Sequence, residues 1–376
     1  SIPVDAEAPT LTITRAGSGT LRADQTETIY FTLSEPANSN FGRDDVIVSV
    51  GGKLDNFTQN SGTTFSATFT PNPGFSGDVT ITVGNTSFTD VIGNPNFPGA
   101  SLSIPVKTIA PTLTITRLGS SALKAGDNTE ITFTLSEASG NFTQGDVRFT
   151  NGQISEFKLV SSAIYTATFT PAANFEGMAT ITVPVGVFTD TAGNPNVAAL
   201  LSIPVDTVAP AVPVLALGSG VANGATLAEA TESTGVLIVQ AEVGSVVQIL
   251  LEGTAGNLSP IDLPILKAQE PLVLTPEQVL QLGQGPVAVR TVARDAAGNA
   301  SAPASTQFTI DTVAPAVPVL ALGAGAANGA TLAEATQEGG VVTVIGEIGS
   351  TIIVEFDSTG GPIRKIVTGT GHPVPV

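Results

Sequence analysis

Internal repetition constrains this 376-residue chain more than any other feature. APTLTITR starts at Ala8 and again at Ala110, FTLSE at Phe31 and Phe133, ATFTP at Ala67 and Ala167, and LSIPV at Leu102 and Leu201. A different pair follows: APAVPVLALG at Ala209 and Ala314, then ANGATLAEAT at Ala222 and Ala327. Two copies of one repeat type therefore precede two of another. The expected division is 1–7 as the end of a preceding repeat plus a linker, 8–107 and 108–207 as the first type, 208–312 as the second type, and 313–376 as a partial second copy. Ser1–Val4 matches the closing strand of the first type, so both ends read as cuts through a longer array.

Within a repeat the hydrophobic period is two. TLTIT, TIYFTLS, DVIVSV, TTFSATFT, DVTITV and SLSIPV alternate apolar residues with Thr or Ser, as half-buried strands do. Gly, Pro and Asn separate them at the spacing of an all-β sandwich. Six or seven strands per block of about a hundred residues suit an immunoglobulin-like sandwich, so the fold expected is all-β, with tandem sandwiches forming an elongated rod. The cysteines and tryptophan of antibody domains are missing. TPEQVLQL predicts a short helix, with Thr275 as its cap, Pro276 in its first position and Glu277 near its positive end. Tyr165 aligns with Phe65 in an alternating strand and is expected in the core.

Composition narrows the functions. A formal charge of −18 leaves too few Lys and Arg to neutralise phosphate, which argues against nucleic acid and anionic membrane as partners. No stretch reaches the roughly 18 consecutive apolar residues of a membrane span, so no membrane insertion is expected in this segment. With no cysteine, thiolate metal sites and thiol nucleophiles are impossible. The single imidazole, His372, stands in GHPVPV, and no GxSxG, HExxH or phosphate-loop motif occurs. The chain is not expected to be an enzyme.

The acids carry the most information. FTDVIGNPN at Phe88 returns as FTDTAGNPN at Phe188, and in trimmed form as RDAAGN at Arg294. With strands lettered A to G, the B–C loop, the F–G loop and the residue before strand A all lie at one end of a sandwich. That places Asp5, Glu35, Asp45, Asp90 and Asn94 at the upper end of the first repeat. The second offers Lys107 in place of the linker acid, facing Glu137, Asp146, Asp190 and Asn194. The third offers Asp206, Glu242, Asp295 and Asn299, and the fourth Asp311 and Glu347. A lone D-x-x-G-N is a turn former. Three carboxylates together repel, by about 4 kcal/mol per pair at about 4 Å near a protein surface, unless a cation sits among them. Carboxylate and amide oxygens suit Ca²⁺, which extracellular modules hold at roughly 0.1–1 mM affinity. Calcium between repeats is the cofactor expected. At Lys107 either the ammonium stands in for the ion or calcium binds weakly.

The strings FTLSE, DV, YTATFTP, FTDTAGNPN and VDTVAP resemble the bacterial immunoglobulin-like repeats of giant surface adhesins exported by type I secretion (RTX/Bap-like). TPEQVLQLGQGPVAVRTVARDAAGNASAPASTQFTIDTVAP is similar to the companion repeat of such proteins. The resemblance implies extracellular stalk segments at the bacterial cell surface, serving adhesion or biofilm formation, with calcium-stiffened junctions. By motif matching it implies ligand roles for Asp5, Glu35, Asp90, Asp206, Asp295 and Asp311. The partners implied are neighbouring repeats of the same chain, and identical chains or a host or matrix ligand. Two alternatives stay open: a homophilic or ligand-binding module assembling by strand exchange, and accessory domains of a secreted hydrolase.

Overall fold

In a computed structural model, which describes residues 5–323 and 326–376, strands dominate. The orphan strand expected at Ser1–Val4 lies outside the described residues. The chain divides into two compact units. One runs to Pro210 and takes in Arg294–Ala300; the other comprises Ala211–Ala293 and Ser301–Val376.

The first unit holds both copies of the first repeat type. Strands β1 (Leu11–Arg15), β2 (Glu27–Leu33), β3 (Val46–Val48), β4 (Gly52–Gln59), β5 (Thr64–Pro71), β6 (Ser76–Val83) and β7 (Ala100–Lys107) form two antiparallel sheets. Their orders are β1-β2-β5-β4 and β3-β6-β7, the A-B-E-D and C-F-G arrangement of an immunoglobulin constant-type sandwich. β8 (Leu113–Arg117), β9 (Thr129–Leu135), β10 (Arg148–Phe149), β11 (Gly152–Ser161), β12 (Ile164–Pro171), β13 (Glu176–Val183) and β14 (Ala199–Asp206) repeat both sheets. Alternation does the work. Along β5 every second residue is buried, namely Phe65, Ala67, Phe69 and Pro71, and β2 answers in register with Phe31 opposite Phe65.

Aromatic rings fill the space between the sheets. Phe41 meets Phe65 edge-on at 4.9 Å between centroids and Phe88 at 5.0 Å. In the second copy Phe142 meets Tyr165 and Phe188 at 5.0 and 5.1 Å. Tyr165 is buried as expected, and its hydroxyl donates to the Ser139 carbonyl. Phe88 and Phe188 matter for the site, because each anchors the start of an F–G turn inside the core.

The second unit is wired differently. β15 (Val214–Leu217), β16 (Leu237–Gln240) and β19 (Glu270–Leu272) make one sheet. β17 (Val246–Glu252), β18 (Ile261–Pro264), β20 (Gly285–Arg294) and β21 (Ala304–Ile310) make the other, in the order β18-β17-β20-β21. The fourth strand has moved from one sheet to the other. Helix α1 (Leu227–Thr231) is an addition to the expected elements, closed by a capping box between Thr226 and Glu229. The expected helix, α2 (Pro276–Leu282), has Thr275 accepting from the Gln278 amide and Pro276 in its first turn. The last repeat keeps β22 (Val319–Leu322), helix α3 (Leu332–Ala335), β23 (Val342–Ile345), β24 (Thr351–Phe356), β25 (Ile363–Thr368) and β26 (Val374–Pro375). Its sheets are β22-β23-β26 and β24-β25.

Candidate functional site

The D-x-x-G-N turn has a division of labour. Asp90 Oδ1 accepts from the amides of Ile92, Gly93 and Asn94 at 2.6–2.9 Å, which curls the backbone around the carboxylate. Gly93 sits at φ +107° and Gly193 at +92°, a region that side chains avoid. Asn94 Nδ2 then donates to Asp90 Oδ2 at 2.7 Å. Two residues on, Asn96 is fully buried; its Oδ1 accepts from Phe88 N at 3.0 Å and its Nδ2 donates to the Gly84 carbonyl at 2.9 Å. Asn196 makes the equivalent bonds to Phe188 and Pro184. The acid shapes the turn, and the second Asn pins it to the core.

The first Asn reaches outward. Asn194 Nδ2 donates to the Lys107 carbonyl at 2.9 Å, and Asn194 Oδ1 accepts from Ala23 N, in the A–B loop of the preceding repeat, at 3.0 Å. Beside it Arg22 donates to the Gly193 carbonyl at 2.8 Å. One amide thus clamps the linker and the neighbouring repeat together. Within the first unit the segment Arg294–Ala300 does the same. Asn299 Nδ2 donates to the Asp206 carbonyl and to Asp295 Oδ2, both at 2.8 Å, while Asn299 Oδ1 accepts from Ala125 N at 2.8 Å. In the first repeat Asn94 Nδ2 reaches the Asp5 carbonyl at 3.3 Å.

Among the described residues, one group of acids is spaced to hold a metal ion. Asp5, Glu35 and Asp90 bring one carboxylate oxygen each within 4.8 Å of one another. Burial, then the charges of Asp5, Asp90 and Glu7, push the Glu35 carboxyl above its ordinary range. Burial also works to raise Asp90, but its hydrogen bonds from Asn94, Gly93 and Ile92 prevail and hold it below. The donor set is three hard oxygens with mutual repulsion unrelieved by any side-chain cation, which fits Ca²⁺. At the same place in the second repeat a cation is present. Lys107 Nζ contacts Glu137 Oε2 and lies 3.4 Å from Asp190 Oδ2, whose side chain is fully buried. The Glu137 bond leads in raising the lysine. Asp190 is held low against its burial by Asn194 and then by Lys107.

Other expected residues lie elsewhere. Asp45 Oδ2 accepts from Gly42 N at 2.7 Å and Asp146 Oδ2 from Thr143 N at 2.8 Å, each capping a 3-10 turn. Neither joins the carboxylates of its repeat. Asp206 Oδ1 accepts from Val208 N. In the second unit the Glu242 carbonyl receives the Ser245 amide and hydroxyl. Asp311 and Glu347 line one open pocket, where Glu347 Oε2 accepts from Ala316 N at 3.2 Å. The expectations named Asn194 and Asn299 as donors of oxygen to an ion; both amide oxygens are directed at backbone N–H groups. The A–B loop residues that receive them carry a sequence signal, a basic residue then Ala after a buried Leu, in LRA at Leu21 and LKA at Leu123.

The bacterial Ig-like domain family matches residues 5–106 and 107–205, more than half of the chain. The chain belongs to that family. No curated protein matches it. Solved structures similar to this bacterial Ig-like chain include InvD of Yersinia pseudotuberculosis, at 18% identity over 81% of this chain and 98% of that one, with a TM-score of 0.32. A 1.5-MDa bacterial ice-binding adhesin is 15% identical over 82% and 100%, at 0.36. The D1–D4 fragment of the ICAM-5 ectodomain is 12% identical over 97% and 91%, at 0.35. Among the described residues, no helix is long and apolar enough to cross a membrane.

Proposed function

We propose that this chain is an extracellular segment of a bacterial surface adhesin, in which Ig-like repeats bind and transmit load and catalyse nothing. The observation that carries the reading is the clamp: Asn194 ties the linker at Lys107 and the A–B loop at Ala23 to one turn, so successive repeats are joined by bonded geometry and not by a loose tether. The repeat blocks 8–107, 108–207, 208–312 and 313–376 are the domains in this reading. Calcium at Asp5, Glu35 and Asp90 would neutralise the repulsion there and fasten the linker to the first repeat; Asp206 with Asp295, and Asp311 with Glu347, are the corresponding donors further on. Thermal unfolding with millimolar CaCl₂ and then with chelator tests the calcium. At a free concentration ten times the dissociation constant, the folded state gains about tenfold in equilibrium constant. An unchanged melting curve and no binding heat would end the calcium reading.

A further inference from the structure

The internal repeat supplies its own comparison. Asp5, Glu35, Asp90 and Asn94 of the first repeat correspond to Lys107, Glu137, Asp190 and Asn194 of the second, each set placed by the same SIPV, FTLSE and D-x-x-G-N motifs. Three of the four positions are conserved between the two copies, and only the linker residue changes sign. Where the first repeat gathers three carboxylates within 4.8 Å, the second has two with an ammonium between them. The Lys107 side chain is 24% exposed, against 26% for Glu137 and none for Asp190, so the charge is largely enclosed by its partners. The rest of the joint keeps its geometry: Asn194 clamps the Lys107 carbonyl as Asn94 clamps that of Asp5.

We infer that Lys107 is a built-in cation that occupies the metal position of this joint, so that one chain carries two kinds of junction, one set by calcium and one set by lysine. The inference rests on the calcium reading of the Asp5, Glu35 and Asp90 group for its contrast, but it makes a separate demand on Lys107. A fixed ammonium cannot be removed by chelation. The joint between the first two repeats then stays closed where calcium is scarce, while the acid-lined joint loosens.

The test converts one kind of junction into the other in the full chain. Lys107→Asp recreates the three-acid set and should bind one more Ca²⁺ by titration calorimetry than the unaltered chain, with an affinity on the order of 0.1–1 mM. Its first unit should melt lower in chelator and recover in millimolar calcium. Lys107→Met should melt lower in both, because it supplies neither ammonium nor ligand, and Lys107→Arg should stay near the original in both. If Lys107→Asp gains no ion, or if Lys107→Met melts like the original chain, the lysine inference is overturned. Asp5→Asn separates the two readings. If it abolishes no binding while Lys107→Asp still gains an ion, the calcium reading of the first repeat fails and the lysine inference stands. If the original chain loses an ion on Asp5→Asn but Lys107→Asp gains none, the reverse holds.

Discussion

The upper ends of the first and second repeats share a backbone, a turn and three of four polar side chains, yet they solve opposite electrostatic problems. At the first, Asp5, Glu35 and Asp90 crowd together, and partial burial with the neighbouring negative charges pushes the Glu35 carboxyl above its ordinary range. At the second, the Lys107 ammonium lies against both Glu137 and Asp190 and offsets one of their two charges, and Asn194 is 1% exposed with every polar atom engaged. A single linker residue decides whether the joint holds a third carboxylate or an ammonium. The hydrogen-bonded turn is common to both; the charge on the linker is the variable.

The largest effect that sharpens this comparison is loss of the clamp. Asn194→Ala deletes bonds to Ala23 N, the Lys107 carbonyl and the buried Asp190 carboxylate, and should cost about 2–4 kcal/mol in urea unfolding. Asn94→Ala, with fewer partners, should cost about 1–2 kcal/mol. Equal losses would break the comparison. Next comes charge. Lys107→Met leaves a buried carboxylate without its cation and should cost about 1–2 kcal/mol, less than a fully buried pair because lysine and Glu137 remain partly wet. Asp5→Asn should leave stability in chelator unchanged or raised, and lower it in calcium.

Acid should separate the ends without mutation. Glu35 is raised above 4.5 in the folded state, so without calcium its protonation favours folding: the contribution is full below that value and is lost as pH rises through the folded one. Asp190 is depressed below 3.8, so its contribution is present above that value and lost as pH falls through the folded one. Amide hydrogen exchange at Gly93 and Asn94 should therefore slow on acidification towards pH 4.5, relative to intrinsic rates, while Gly193 and Asn194 hold steady there and weaken only below about 3.8. The smallest difference lies in the cores. Tyr165→Phe removes a long bond to Ser139 and makes the second core chemically like the first at Phe65, for about 0.5 kcal/mol. A larger loss would mean the hydroxyl holds the B–C loop.

Much of this was legible before any coordinates. Period-two runs such as TTFSATFT became β5 with the expected face buried, and the B–C and F–G loops met the linker at one end. β4 leaves no such trace, because GKLDNFTQ does not alternate: its register with β5 slips between Asp55 and Thr58, and Asn56 takes φ +53°. α1 shows in the sequence only as the T-x-x-E of its capping box, in ATLAEAT. Asp45 and Asp146 look like further members of the acidic set and instead cap their own 3-10 turns, a choice between local and distant partners that spacing cannot distinguish.

Local rules acting over a few residues wrote the strands, the D-x-x-G-N turns and the repeat into the sequence, because a pleated backbone and a left-handed glycine leave their pattern in neighbouring letters. Which oxygens face one another is another matter. Residues 5, 35 and 90 meet only when two sheets close over Phe41, Phe65 and Phe88, and Asn194 finds Ala23 only because one repeat is set against the next. Tertiary structure decided those pairs, since electrostatic repulsion and hydrogen bonding depend on distance in space and not on separation along the chain.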